Sequence, residues 1–273
     1  MDIYEELVKL KTSGGEGVLV TVVEKEGHGP ATSGFKMLVL KDGTRTGTVG
    51  GGALEFSAVK HAAEILETKT NRLIHYLLSR DNEIIDEKLE KTGMLCGGKA
   101  SLFFEYMGSG LKLYIFGAGH IGQALAYHFN GLNYYITLID CREGMVNTIP
   151  NVQARITHEY HNVFNEITVP PHSYFIIAAH THELDYVILK HIYESNLEPS
   201  YIGMVASKRK APAMVEQLKS ELGNNIDLTK LYSPVGLDVG GATPHEIAIS
   251  IIAELQAIQY GKNENKHLRK EFL

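Results

Sequence analysis

Apolar and polar residues change their spacing part-way along this chain, and the change divides it in two. Near the start, Ile3, Leu7 and Leu10 recur on one face at helical spacing, which predicts a helix ended by Gly14-Gly15. Val18 to Val23 is a near-continuous β-branched run and reads as a buried strand. A second strand, Phe35 to Leu40, follows the turn-rich Gly27-His28-Gly29-Pro30 stretch, and Asp42-Gly43 closes it. Leu54, Ala58, Ala62, Ile65 and Leu66 then make the apolar stripe of a helix from Ala53 to Thr68. Two further strands are predicted, Asn71 to Ser79 and Ala100 to Tyr106. Between them lies an acidic stretch, Asp81 to Glu90, read as a solvated loop or an exposed helix face.

Gly108-Ser109-Gly110 reads as a linker, and beyond it strands and helices alternate. The predicted strands are Leu113 to Phe116, Tyr135 to Ile139, Val152 to Ile156, Phe175 to Ala179 and Tyr201 to Val205. Helices are expected from Gly122, from Glu183 to Glu194, and from Pro244 to Tyr260, the last turning Ile247, Ile251, Leu255 and Ile258 to a core. Such alternation implies a parallel sheet with helices on both faces. The expected fold class is therefore α/β: a small N-terminal α+β domain at 1–108, a Rossmann-type parallel-sheet domain with a C-terminal helix at 111–262, and a polar tail at 263–273.

Composition narrows the function classes. The 273 residues are 44% hydrophobic and 21% charged, and no apolar run approaches the roughly 18 residues that span a bilayer. The opening MDIYEELVKLK lacks the basic and apolar regions of a signal peptide, so a cytoplasmic protein without membrane attachment is expected. The formal net charge is −6, and basic residues are dispersed apart from Lys208-Arg209-Lys210, which argues against a nucleic-acid partner. The two cysteines, Cys96 and Cys141, are too few for a disulfide framework and form no Cys-x-x-Cys pair.

Five places carry candidate chemistry. Gly117-Ala118-Gly119-His120-Ile121-Gly122 lies between a predicted strand and helix, and Asp140 ends the next strand 21 positions after Gly119, where an acidic residue meets a ribose hydroxyl in dinucleotide-binding folds. Arg142 just beyond leaves open which nicotinamide cofactor would suit. Gly50-Gly51-Gly52 feeds a helix start and reads either as an anion cradle or as a tight turn. His180, Thr181, His182 and Asp185 stand where a strand passes into a helix. They suit acid–base or metal chemistry, while Thr181 as N-cap with acidic residues behind it explains the same segment structurally. Ser207 to Lys210 is a solvated helix cap or a phosphate site. Cys96, beside Gly97-Gly98, is either a buried structural thiol or one that a ligand approaches closely.

Taken in order, these pieces resemble the xanthine dehydrogenase accessory protein family (XdhC/CoxI). The resemblance runs through Gly27-His-Gly-Pro30 with Gly34 and Met37, Gly50-Gly-Gly-Ala-Leu-Glu55, Cys96-Gly-Gly98, Gly117 to Gly122, Asp140-Cys-Arg142 and Thr181-His-Glu-Leu-Asp185. It continues through Tyr201 to Ser207 with Lys210, Ser233 to Gly240, and Thr243 to Ala248. It implies a protein that binds the molybdenum cofactor, shields it while a cysteine desulfurase-type enzyme exchanges an oxo ligand for sulfur, and helps insert it into a molybdenum hydroxylase. A homodimer is expected. The cofactor would be held by Gly50, Gly51, Gly52, Cys96, Gly97, Gly98, Gly117, Gly119, His120, Gly122, Asp140, Arg142, Thr181, His182, Asp185, Ser207 and Lys210, with Cys96 as the soft ligand to molybdenum. No role falls to Cys141.

The chain departs from the family pattern where Ala31 stands in place of an arginine and Ala53 in place of a cysteine. Two other readings compete. One is an NAD(P)-dependent oxidoreductase with His180 or His182 as acid–base residue; the other is a nucleotide-sensing or protein-interaction module.

Overall fold

The computed structural model describes residues 2–78, 89–91, 98–108, 110–207 and 209–262, and the backbone alone at 89–91. The chain forms two compact units, Met1–Gly110 and Leu111–Leu273.

The first unit is a six-stranded sheet with one long helix on its core face. α1 (Ile3–Ser13) starts at Asp2, whose carboxylate accepts the Tyr4 N–H, and stops at Gly14 in the left-handed conformation (φ 75°). β1 (Glu16–Gly27) follows. It outlasts its apolar run, because beyond a bulge at Val22/Glu24 its polar end keeps pairing with β6 (Gly98–Gly108). β2 (Lys36–Leu40) and β3 (Arg45–Gly47) form a hairpin whose turn is held by the Thr44 N–H on Asp42 Oδ1 at 2.8 Å. After α2 (Gly52–Thr68) come β4 (Arg72–Leu77) and β5 (Leu89–Lys91), giving the order β3-β2-β1-β6-β4-β5.

Alternation sets the core. Val18, Val20 and Val22 of β1 and Leu102 and Phe104 of β6 point to one face, where Leu54, Ala58, Ala62 and Ile65 of α2 cover them. Residues 81–88 of the acidic stretch, and Ser79 at the end of the strand predicted before it, lie outside the described residues, and Leu89 and Glu90 belong to β5 rather than to a loop or helix. Three residues are too few to show a period of two.

The second unit is a parallel sheet. Its elements are β7 (Leu111–Phe116), α3 (His120–His128), β8 (Tyr134–Asp140), β9 (Ala154–Thr157), α4 (Val163–Glu166), β10 (Tyr174–Ile177) and α5 (His182–Glu194). They continue with β11 (Tyr201–Met204), α6 (Ala211–Leu222), β12 (Leu231–Tyr232) and α7 (Pro244–Gln259). Every pairing is parallel, in the order β12-β11-β10-β7-β8-β9. The Rossmann-type sheet and its closing helix are as expected from the sequence; the short β12 is an addition.

Both faces of this sheet are buried, which is why its strands read as continuous apolar runs. Leu113, Ile115, Ile136, Leu138 and Ile176 face α3 and α7, with Ile251 and Leu255 fully buried among them. Phe116, Ile139, Phe175, Ile177 and Met204 face α5 and α6. A capping box starts α7, Thr243 and Glu246 each bonding the other's backbone N–H. Polar ties also hold α7: Tyr201 donates to Glu254 at 2.6 Å and Tyr134 to Gln259 at 2.7 Å. No helix among the described residues is long and apolar enough to cross a membrane.

The strand order reverses between β7 and β10. At such a reversal the loops beyond the two strands part in opposite directions and leave a crevice at their carboxyl ends.

Candidate functional site

The loops that follow β7, β8 and β10 meet at this crevice, and the glycine turn after β7 divides its duties by position. A Cβ at Gly117 would lie 2.0 Å from the Ala178 carbonyl oxygen, and one at Gly122 would lie 1.9 Å from the Gly117 carbonyl oxygen. These two glycines serve close packing of loop, strand and helix. A Cβ at Gly119 would meet nothing within 4 Å. Gly119 is also the N-cap of α3, so bare backbone faces open space where the helix dipole favours an anion.

Asp140 braces the turn. It is fully buried, and its carboxylate accepts four N–H groups: Ala118 N at 2.7 Å, and Arg142 N, Nε and Nη2 at 2.9 Å each. Two acceptor sites per oxygen are thereby used. Arg142 holds the carboxyl low against the opposing pull of burial, the largest single influence on it. In this arrangement neither Asp140 oxygen is presented to a ribose hydroxyl, the role its position suggested.

A pocket of about 310 Å³ lies at the same sheet edge, where β10 and β11 pass towards α5 and α6. It gathers five of the expected residues: Thr181, His182, Asp185, Ser207 and Lys210. Thr181 is the N-cap of α5, its hydroxyl accepting the Leu184 N–H at 3.4 Å. Asp185 is buried, with Oδ1 on the Ala179 N–H at 2.8 Å. Burial, seconded by the Glu183 charge, pushes its carboxyl up to about 7, against the Ala179 N–H and Lys210. Ser207 accepts the Lys210 N–H at 3.3 Å, and α6 begins just after. His180 borders this pocket and also approaches Asp140 and Cys141.

Other expected residues lie elsewhere. His120 is the first residue of α3 but lines a different hollow of about 340 Å³ with Gln123, Tyr127, Ile149, Pro244 and His245. A hollow of about 620 Å³ at the amino-terminal ends of β10 and β11, bordered by His172, Asp227 and Lys230, contains none of them.

In the first unit, the glycine turn before α2 already has its anion. Glu55 Oε1 accepts the N–H of Val49 at 3.2 Å and of Gly51 at 3.1 Å, together with the Thr48 hydroxyl. The helix bends its own carboxylate into the cradle that Gly50, Gly51 and Gly52 were expected to offer a phosphate, so an external phosphate there must displace Glu55. Glu55→Ala is expected to strip both N–H groups of their acceptor and lower stability by about 1–3 kcal/mol, read by urea unfolding. Gly98 opens β6, where a Cβ would fall 2.5 Å from the Glu26 carbonyl oxygen, so strand pairing accounts for it. Cys96 and Gly97 lie outside the described residues.

Sequence reasoning passed over Cys141. It directly follows β8 at the carboxyl edge, and burial foremost, then the Asp140 charge, raise its thiol above the ordinary cysteine value. Its place next to a strand end was the signal available.

Fold and site together define a Rossmann-type domain with an open backbone cradle at the switch point of its sheet. The family model described as the XdhC Rossmann domain matches residues 113–255, and that of the XdhC and CoxI family matches 10–77. The chain belongs to the XdhC and CoxI family. It is 28% identical over 262 residues to the uncharacterized protein YqeB of Escherichia coli, a match covering 95% of this chain and 46% of that protein, so the chain spans about half of that relative's length. The molybdenum cofactor insertion chaperone PaoD of Escherichia coli is 23% identical, with 96% of this chain and 89% of PaoD covered. A Bacillus halodurans protein, solved as a xanthine dehydrogenase, shares the fold over the full length of both chains at a TM-score of 0.51 and 21% identity.

Proposed function

We propose that this protein is an accessory factor of a xanthine dehydrogenase-type molybdenum hydroxylase. It binds the molybdenum cofactor, shields it while a cysteine desulfurase-type enzyme supplies sulfur, and hands it to the hydroxylase. The observation that carries this reading is the division of labour in the glycine turn: Gly119 open to an anion, Asp140 closed to a ribose. The turn thus offers what a phosphate needs while withholding the carboxylate that a dinucleotide's ribose would use.

The cofactor is a pterin bearing a phosphate. Its phosphate is assigned to the backbone around Gly119, and the hydroxyls of Thr181 and Ser207 with the Lys210 ammonium provide polar contacts for the remainder. Membership of the XdhC and CoxI family and the likeness to an insertion chaperone support this cargo.

The test is reconstitution. A cofactor-free molybdenum hydroxylase is mixed with free cofactor, a sulfur donor and this protein. Activity several-fold above that without the protein is expected. No gain, together with no retention of the cofactor by the purified chain, would remove the proposal. Retention of NAD(P) in its place would favour the oxidoreductase or nucleotide-sensing reading.

A further inference from the structure

Three metal-ligating side chains converge at the switch point: a carboxylate oxygen of Asp140, Sγ of Cys141 and a ring nitrogen of His180 all lie within 4.8 Å of one another. Cys141 directly follows β8 and His180 comes three residues after β10, the two strands that flank β7. Parallel pairing therefore delivers a thiol and an imidazole beside the glycine turn that β7 feeds.

The three donors are not equivalent. Asp140 spends both oxygens on Ala118 and Arg142 and offers the cluster a fixed negative charge rather than a ligand. Cys141 is a free, half-buried thiol, and His180 is exposed. Two protein ligands remain. Structural zinc sites use about four and catalytic ones about three, so two are too few to hold a bare cation tightly. Two do suit a metal that arrives with most of its coordination positions already filled, and a thiolate with an imidazole matches a soft or borderline centre.

We infer that Cys141 Sγ and a ring nitrogen of His180 ligate the metal of the incoming metal–pterin complex while its phosphate lies on the Gly119 turn. The inference rests on the proposed function and moves the ligand role from Cys96 to Cys141. In the binding step the S–H bond breaks and a sulfur–metal bond forms. The sulfur and the imidazole nitrogen would each take the place of a water on the metal; one water leaves with the thiol proton as hydronium, the other leaves unchanged, and no electron is transferred.

The experiment titrates the full chain with the pterin in two forms, molybdenum-loaded and metal-free, for wild type, Cys141→Ser, His180→Ala and Cys96→Ser. Wild type and Cys96→Ser are expected to bind the loaded form at least about tenfold tighter than the metal-free form. Cys141→Ser and His180→Ala are expected to abolish that preference, leave metal-free binding unchanged, and melt within a few degrees of wild type. X-ray absorption at the molybdenum edge should show one sulfur neighbour fewer in Cys141→Ser. Equal binding of both forms by wild type, or a preference that survives in Cys141→Ser and His180→Ala but is lost in Cys96→Ser, would overturn the ligation and leave the proposed function standing. Should wild type bind neither form, the proposed function falls and the ligation with it.

Discussion

Gly119→Val should lower retention of a phosphate-bearing ligand by about a hundredfold, some 3 kcal/mol, while the protein stays folded. The geometry separates the two effects. Gly119 has an extended backbone (φ −73°, ψ −167°) that valine adopts readily, and its Cβ would meet nothing within 4 Å. The stability cost is therefore that of a poor N-cap, on the order of 1 kcal/mol. A phosphate resting on the backbone N–H groups would instead collide with the isopropyl group. Gly122→Ala is the contrast, because its Cβ lands 1.9 Å from the Gly117 carbonyl oxygen and the helix start must shift or unfold. Circular dichroism and ligand titration on the two variants read the difference. A Gly119→Val protein that binds as wild type would remove the phosphate from this turn.

The second large effect concerns Asp185 and pH. In the folded protein its carboxyl stands at about 7, raised from 3.8 chiefly by burial. Between roughly pH 4 and pH 7 the folded chain holds a proton that the unfolded chain has released, so this group makes stability fall as pH rises through that window and level off above it. The full span is on the order of 2–4 kcal/mol. Asp185→Asn keeps an oxygen for the Ala179 N–H and cannot ionise. It is expected to be more stable than wild type at pH 8 and to lack the decline. An ionised Asp185 also sets a negative charge beside Ser207 and Lys210, so wild type should lose its anionic ligand progressively above pH 7 and Asp185→Asn should not. Urea unfolding and ligand retention at pH 5 to 9 measure both, and parallel curves for the two proteins would show that Asp185 does not titrate there.

The parts of this fold legible in the sequence were those with a period. The β-branched strands of the Rossmann sheet and the stripe Ile247, Ile251, Leu255, Ile258 declare themselves because burial on a sheet or helix face repeats. β3 and β12, with three and two residues, have no room for a period, and the polar end of β1 is strand only because β6 lies beside it.

In the site, the spacing of Gly117, Gly119 and Gly122 was legible, because Gly117 and Gly122 each answer a steric demand of the turn while Gly119 leaves its backbone bare. What fills an anion cradle was not. Glu55 bends into the turn before α2, and Asp140 turns inward to Ala118 and Arg142 instead of outward to a ligand. Both outcomes depend on how a loop closes over a carboxylate, which neighbouring letters do not record. An acidic residue in the first turn of a glycine-fed helix was the available hint for Glu55. The approach of Cys141 to His180 was hidden for another reason: it follows from strand order, since β8 and β10 both flank β7 only when the sheet reverses there.

The open backbone at Gly119 is proposed to hold a molybdenum-bearing pterin. Mass spectrometry of small molecules carried through purification tests it most directly, using the full chain made in cells that synthesise the cofactor. Pterin and molybdenum are expected to emerge together with wild type, near one per chain, and to be lost from Gly119→Val. A nicotinamide dinucleotide in their place, or equal amounts of the pterin on wild type and Gly119→Val, would contradict it.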